Sequence, residues 1–246
     1  MRDFRADLHI HTVLSPCGDL RMSPANIISE AVKKGIDIIG ITDHNTTKHC
    51  GLISRLAAQH GIFTMTGAEV TTKEEVHCLA FFENSDTLEI FQNYLDDNLP
   101  EIMNVPEIFG DQVEVDEDEN IIYTEKKLLT NALYVSLEEL EEFIHSNNGL
   151  FIPAHINRRK NSLYSQLGFL PDDLKADALE ISRKNNAEAF LAGHREVNRF
   201  TIITTSDAHF PENIGGSVTH FHIEKPCFAE IKMALANENE RRINIQ

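Results

Sequence analysis

Apolar and polar positions alternate in blocks along the first third of the chain. Phe4–His11 reads as an apolar strand. Ser23-Pro24 then opens a helix, with serine as cap and proline in the first turn. Ile27, Ile28, Ala31 and Val32 supply its buried stripe and Gly35 ends it. Asp37–Thr42 is a short apolar run of the buried parallel-strand kind. A helix near Thr47–His60 and a strand at Ile62–Val70 follow, and this βαβα order predicts a parallel sheet covered by helices. Val76–Phe82 reads as another strand, and Asp86–Asp97 as a helix with Leu88, Phe91 and Leu95 inward.

The rhythm breaks over residues 99–135. Two β-like runs flank the acidic stretch Glu114–Asn120, which predicts a hairpin inside an insertion or cap, within a single domain spanning 1–246. The pattern resumes with a helix at Ser136–Ser146, strands at Gly149–His155 and Ala178–Ser182, and a helix near Ala187–His194. Strands at Thr201–Ser206 and Ser217–Ile223 and a last helix over Cys227–Asn237 complete it.

Composition narrows the class. Hydrophobic residues make up 41% and charged residues 25% of 246, as in a globular protein with a full core. A net charge of −17 disfavours an extended electropositive track for nucleic acid. Cys17, Cys50, Cys78 and Cys227 form no C-x-x-C pair, so neither a zinc finger nor a disulfide framework is expected. Without a signal-peptide pattern or an apolar run near 18 residues, a cytoplasmic protein with no membrane partner is expected.

The chemistry sits at strand ends. Asp7-Leu8-His9-Ile10-His11 puts two imidazoles on one face of a strand, since residues i and i+2 point the same way. Thr42-Asp43-His44, Gly67-Ala68-Glu69, Pro153-Ala154-His155 and Ser206-Asp207-Ala208-His209 also close apolar strands. In an α/β barrel such ends meet at one face, so ligands scattered along the chain converge. His77 starts its strand instead, but the short connection Thr71–Glu75 allows a reversal that returns it to Glu69. Imidazoles and carboxylates in such number suit zinc, manganese or iron, and more than one ion. A second H-x-H, His220-Phe221-His222, has no carboxylate neighbour and reads as part of an ordinary alternating strand. His49, His60, His145 and His194 lie in helical or turn segments and are expected to be surface or core residues.

In this order, D-L-H-I-H, I-T-D-H-N, G-A-E-V, V-H, P-A-H and S-D-A-H resemble the PHP (polymerase and histidinol phosphatase) superfamily, in its small stand-alone phosphoesterase form. The resemblance runs from Asp7 to His209. It implies an α/β fold, a distorted (β/α)7 TIM-like barrel with the inserted segment around 99–135, and a cluster of two to three divalent ions. Carried over, it implies a first metal on His9, His11, Glu69 and Asp207, a second on His44 and His209, and a third sharing Glu69 with His77 and His155. A further ligand of the second metal falls in Ser15-Pro16-Cys17-Gly18-Asp19. Alignment on Ser23-Pro24 favours Asp19, the expected ligand, and counting from His9 favours Cys17 as the alternative. Asp43 either binds metal or orients a neighbouring histidine.

Clustered divalent ions suit phosphate ester hydrolysis, in which a metal-bound hydroxide attacks phosphorus in line. No G-x-S-x-G and no Walker loop is present. Asn157-Arg158-Arg159-Lys160 begins at a metal ligand, and Arg158 is the expected phosphate contact, because guanidinium pairs with phosphate through two parallel hydrogen bonds. Arg159 and Lys184 are further candidates for substrate binding. Asp43 and Arg158 are thus the expected catalytic pair, and a small phosphorylated molecule (a nucleotide phosphate or a short 5′-phosphorylated oligonucleotide) the expected substrate. Histidinol phosphate hydrolysis, and a metal-binding scaffold without phosphoesterase activity, are the alternatives.

Overall fold

A computed structural model describes residues 1–182 and 187–244. In chain order its opening elements are β1 (Arg2–Ile10), α1 (Pro24–Lys33), β2 (Ile38–Ile41), α2 (Cys50–Ala58), β3 (Phe63–Thr71), β4 (His77–Phe82) and α3 (Ser85–Asn98). Then come α4 (Pro106–Phe109), β5 (Val113–Val115), β6 (Ile121–Thr124), α5 (Leu137–Ser146), β7 (Leu150–Pro153), α6 (Leu163–Leu167), β8 (Leu179–Glu180) and α7 (Ala187–Gly193). β9 (Ile202–Ile203), β10 (Thr219–Ile223), α8 (Phe228–Leu235) and β11 (Arg242–Asn244) end the chain.

The helix starts follow local chemistry. The Ser23 side chain accepts from Asn26 N at the head of α1. Ser136 forms a full capping box with Glu139 at the head of α5. Each such cap contributes about 1 kcal/mol. Residues Ile27, Ile28 and Ala31 of α1 and Ile53 and Ala57 of α2 pack on Ile39 and Ile41 of β2 in one core cluster. Leu8, Met65, Leu79, Phe81, Ile152 and Phe221 join β1, β3, β4, β7 and β10 in another. Gly40 lies so close to β1 that a Cβ there would come within 2.4 Å of the Leu8 carbonyl oxygen.

The expected TIM-like barrel is present in part, as a curled half-barrel. Among the described residues, seven strands form one mixed sheet in the order β11-β10-β1-β2-β3-β4-β7, and β8 pairs with β9 alone. Only β1-β2-β3 and β8-β9 run parallel. β4 is antiparallel to both β3 and β7, and β10 is antiparallel to β1. The physical reason is connection length: five residues between β3 and β4 close a hairpin and cannot make a parallel crossover. The result is an α/β half-barrel instead of seven regular β/α units. The expected strands at 178–182 and 201–206 shrink to two residues each, because Thr204 N turns to the Thr219 hydroxyl (2.9 Å) instead of continuing the ladder. Beyond that point the chain rejoins β1: His11 N donates to Ala208 O at 3.0 Å and Ala208 N to His9 O at 3.1 Å. That clasp lays Asp207 and His209 against the end of β1. Residues 99–135 hold the expected hairpin, β5 against β6, and a short helix.

Candidate metal centre

β1 ends with His9 and His11, both fully buried. Each ring is held from behind. His9 Nδ1 faces Glu180 Oε2 at 3.0 Å, and the other Glu180 oxygen accepts from Thr205 Oγ1 at 2.7 Å. His11 Nδ1 faces Ser15 Oγ at 3.0 Å, and Ser15 Oγ donates to Asp43 Oδ1 at 2.6 Å. Because the Ser15 proton goes to the carboxylate, His11 Nδ1 must be the donor to Ser15. Likewise His9 Nδ1 donates to Glu180. Both Nε2 atoms are then bare when the rings are neutral, and they face each other at 3.2 Å. Two imidazole lone pairs at that distance repel unless a cation lies between them, and carboxylate–histidine arrangements of this kind orient metal-ligating rings.

The β3–β4 hairpin brings Glu69 and His77 together, with Thr71 paired to His77 and His77 Nδ1 2.9 Å from Glu69 Oε1. Glu69 Oε1 also lies 3.0 Å from His155 Nε2 and 3.3 Å from His9 Nε2. Its Oε2 lies 3.2 Å from His44 Nδ1 and 3.5 Å from His11 Nε2. One buried carboxylate thus faces five imidazoles. Asp207 Oδ1 stands 3.4 Å from His9 Nε2 and 3.5 Å from His11 Nε2, and its Oδ2 accepts from Arg158 Nη2. Ligand atoms of His11, Cys17, His44 and His209 all lie within 4.8 Å of one another, as do those of His9, His11 and Glu69 and those of His44, Glu69 and His77.

The electrostatics fit a cation site. Burial raises the Glu69 carboxyl, but His77, His9 and His44 outweigh it and hold it well below the usual range. Burial pushes His44 well below the ordinary imidazole value; Glu69 opposes this and the neighbouring rings of His11, His77 and His209 add to it. Burial, then His11, lowers His209 to about 4. Both shifts favour neutral rings at His44 and His209, the form in which an imidazole can bind a cation. The buried Nδ1 atoms of His44 and His155 have no hydrogen-bond partner, which is costly unless something else takes the lone pair. The residues present therefore fit bound divalent ions. Two ligands also sit on left-handed backbone, His155 at φ 32° and Asp207 at φ 49°. Such strain costs about 1–3 kcal/mol each and is characteristic of functional sites.

Of the residues singled out from sequence, the fold brings together His9, His11, His44, Glu69, His77, His155, Asp207 and His209. Asp19 is a correction. Its carboxylate turns away to Arg21 (2.9 Å), and Cys17 stands in the ligand group instead. The cause is the turn: Ser15 N bonds Thr12 O and Gly18 N bonds Ser15 O, so Cys17 projects toward His11 while Asp19 N is spent on His209 O. Asp43 lies behind the cluster, in the orienting arrangement and not in the group of candidate metal donors. Both its oxygens are occupied by Thr12 and Ser15, so it acts on His11 through Ser15. Arg158 does reach the cluster, through Asp207. Arg159 is exposed, and Lys184 lies outside the described residues. Sequence reasoning missed Glu180. Its signal was an acidic residue in the middle of the apolar run Ala178–Ser182.

A half-barrel that gathers five imidazoles around one buried carboxylate is a candidate metal centre of an α/β protein. A family model of the PHP domain matches residues 7–242, and the chain belongs to that family. It is 24% identical over 275 residues to the uncharacterised protein YqxK of Bacillus subtilis, covering 99% of this chain and 64% of YqxK. The fold is similar to that of the lesion-specific endonuclease PfuEndoQ from Pyrococcus furiosus (TM-score 0.72, 22% identity, 98% of this chain and 58% of that one). It is also similar to a candidate metal-dependent phosphoesterase from Bifidobacterium adolescentis (TM-score 0.55, 20% identity, 83% and 87%). The chain thus spans less than two thirds of YqxK and of PfuEndoQ. Among the described residues no helix is long and apolar enough to cross a membrane.

Proposed function

We propose that this chain is a metal-dependent phosphoesterase that hydrolyses a small phosphorylated substrate, a nucleotide phosphate or a short 5′-phosphorylated oligonucleotide. The observation that carries the reading is Glu69, buried and shared among His9, His11, His44, His77 and His155. Two to three divalent ions (zinc, manganese or iron) would be held by His9, His11, Glu69 and Asp207, by Cys17, His44 and His209, and by Glu69, His77 and His155. When bound, such ions acidify water and offset the charge that develops on phosphoryl oxygens. A Cys17 thiolate among the donors favours zinc or iron over manganese.

The chain's own residues supply the rest. Arg158 is about one-third exposed at the edge of the cluster, with its guanidinium on Asp207. It can present further N–H groups to a phosphoryl oxygen while keeping that contact. Glu180 with Thr205, and Asp43 with Ser15, fix the rings of His9 and His11 so that their Nε2 atoms face inward. These groups are buried, whereas Arg158, His209 and Cys17 keep solvent access.

A second reading, cleavage of an internal phosphodiester, is favoured by the likeness of nearly all of this chain to 58% of PfuEndoQ, and to an Endonuclease Q in complex with a 27-mer duplex with an abasic lesion at the active site. The net charge of −17 weighs against duplex binding by this chain alone. The test is phosphate release by zinc- or manganese-loaded protein from nucleoside mono- and bisphosphates, histidinol phosphate and 5′-phosphorylated RNA, beside strand cleavage of an abasic duplex. Chelator-sensitive phosphate release is the expected result. Cleavage of the duplex alone would establish the second reading, and silence on every substrate with metal bound would overturn both.

A further inference from the structure

The 99–135 segment touches the metal centre through an unbroken hydrogen-bond relay. Val115 N donates to His49 Nε2 at 3.0 Å, and His49 Nδ1 lies 2.7 Å from Thr12 Oγ1. Thr12 Oγ1 reaches Asp43 Oδ2 at 2.8 Å, Ser15 Oγ reaches Asp43 Oδ1 at 2.6 Å, and His11 Nδ1 closes on Ser15 Oγ at 3.0 Å. Every proton in the relay is determined. An amide N–H can only donate, so His49 Nε2 is bare and Nδ1 carries the hydrogen. Thr12 Oγ1 also accepts from Leu14 N (3.1 Å), and Ser15 Oγ also accepts from His44 N (3.2 Å). Each hydroxyl therefore accepts twice and has one proton left, which goes to Asp43. The same segment grips the flanking loops. Val113 N bonds Val13 O at 3.2 Å, and the Asn45 amide, beside His44, donates to Leu129 O at 2.7 Å and Asn131 O at 2.8 Å. Gly110, at φ 102°, packs where a Cβ would strike the Pro16 carbonyl oxygen, next to Cys17.

We propose that the 99–135 segment is the positioning element for the metal ligand His11, and that His49 is the positioning residue that transmits it. The proposal rests on His11 being a ligand and not on which ester is hydrolysed. Loss of the direct outer partner of a ligating histidine typically weakens metal affinity about 10- to 100-fold, and His49, further out, is expected at the low end of that range.

Zinc titration of the metal-free protein against a chromophoric chelator tests it, with His49→Phe and His49→Gln as variants. His49→Phe keeps the ring volume and removes both hydrogen bonds. It is expected to weaken the zinc equivalent that His11 holds by about 10-fold, the low end of the range for a direct outer partner, and to leave another equivalent unchanged. His49→Gln, whose amide both donates and accepts, is expected to recover most of that loss. Unchanged zinc binding in His49→Phe, or equal weakening of every equivalent without rescue by glutamine, would overturn the proposal. The wild-type protein gives an independent readout: nitrogen chemical shifts should assign His49 to the Nδ1–H tautomer. An Nε2–H tautomer would break the relay at Val115 and overturn the proposal whatever the variants do. Zinc binding is read without any ester, so silence on the phosphoesterase panel and failure of the relay are separate results.

Discussion

The chain carries two H-x-H pairs on strands that lie side by side, and only one belongs to the metal centre. His9 and His11 close β1, fully buried, with Glu69, Glu180 and Asp207 around them. His220 and His222 lie on β10, whose antiparallel pairing sets them opposite Arg5 and Asp3 near the start of β1. There His222 Nδ1 pairs with Asp3 at 2.7 Å, and both rings are half-buried on an alternating strand. The spacing gives both pairs a shared face. What separates them is which end of the sheet they reach, because the acidic strand ends converge on only one.

The sharpest break in that comparison comes from removing a ligand on the converging side. His9→Ala and Asp207→Ala should each reduce turnover of the best substrate to background, with the far-ultraviolet circular dichroism of the wild type and with less metal bound by elemental analysis. Full activity in both variants would show that the cluster is not the reacting centre.

Next in size is the group behind His9. Burial raises the Glu180 carboxyl, but His9 outweighs it and keeps the group ionised as an acceptor. Glu180→Gln keeps the shape and replaces that acceptor with a neutral amide. Metal affinity should fall about 10- to 100-fold, read by the same zinc titration. Affinity within twofold of wild type would mean that Glu180 only fills space. Arg158→Ala follows. Removal of a charge-assisted contact of roughly 1.5–3 kcal/mol should lower kcat/KM by about 10- to 100-fold, mainly through KM, with metal content unchanged. An unchanged kcat/KM would leave Arg158 as a partner of Asp207 alone.

These effects bear on how much the sequence disclosed. The β1–β2–β3 order was legible because each apolar run was followed by a capped or periodic helix. The return of His77 to Glu69 was legible because five residues cannot make a crossover. Closure of a barrel was not, because nothing local records that residues 204–206 turn toward β10 for a side-chain hydrogen bond. The choice of Cys17 over Asp19 depended on a backbone turn at 12–18. It requires Gly18, whose Cβ would meet the Thr12 carbonyl oxygen at 2.6 Å. Spacing along the chain carries no trace of that turn. His49 was illegible for a related reason: its partners, Thr12 and Val115, come from segments 37 residues before it and 66 residues after it. A lone histidine in a turn gives no hint of either.

The smallest expected effect tests the other half of the comparison. His220 Nδ1 is buried and has no partner, so the ring contributes packing and no polar bond through that atom. His220→Ala should leave kcat/KM within about twofold and metal content unchanged, at a stability cost of about 1 kcal/mol, read by urea denaturation. Substitution on the β1 side loses metal and activity together, whereas substitution here should cost stability alone. Loss of metal in His220→Ala would mean that the two ends of the sheet communicate, and that convergence of carboxylates is not what distinguishes the pairs.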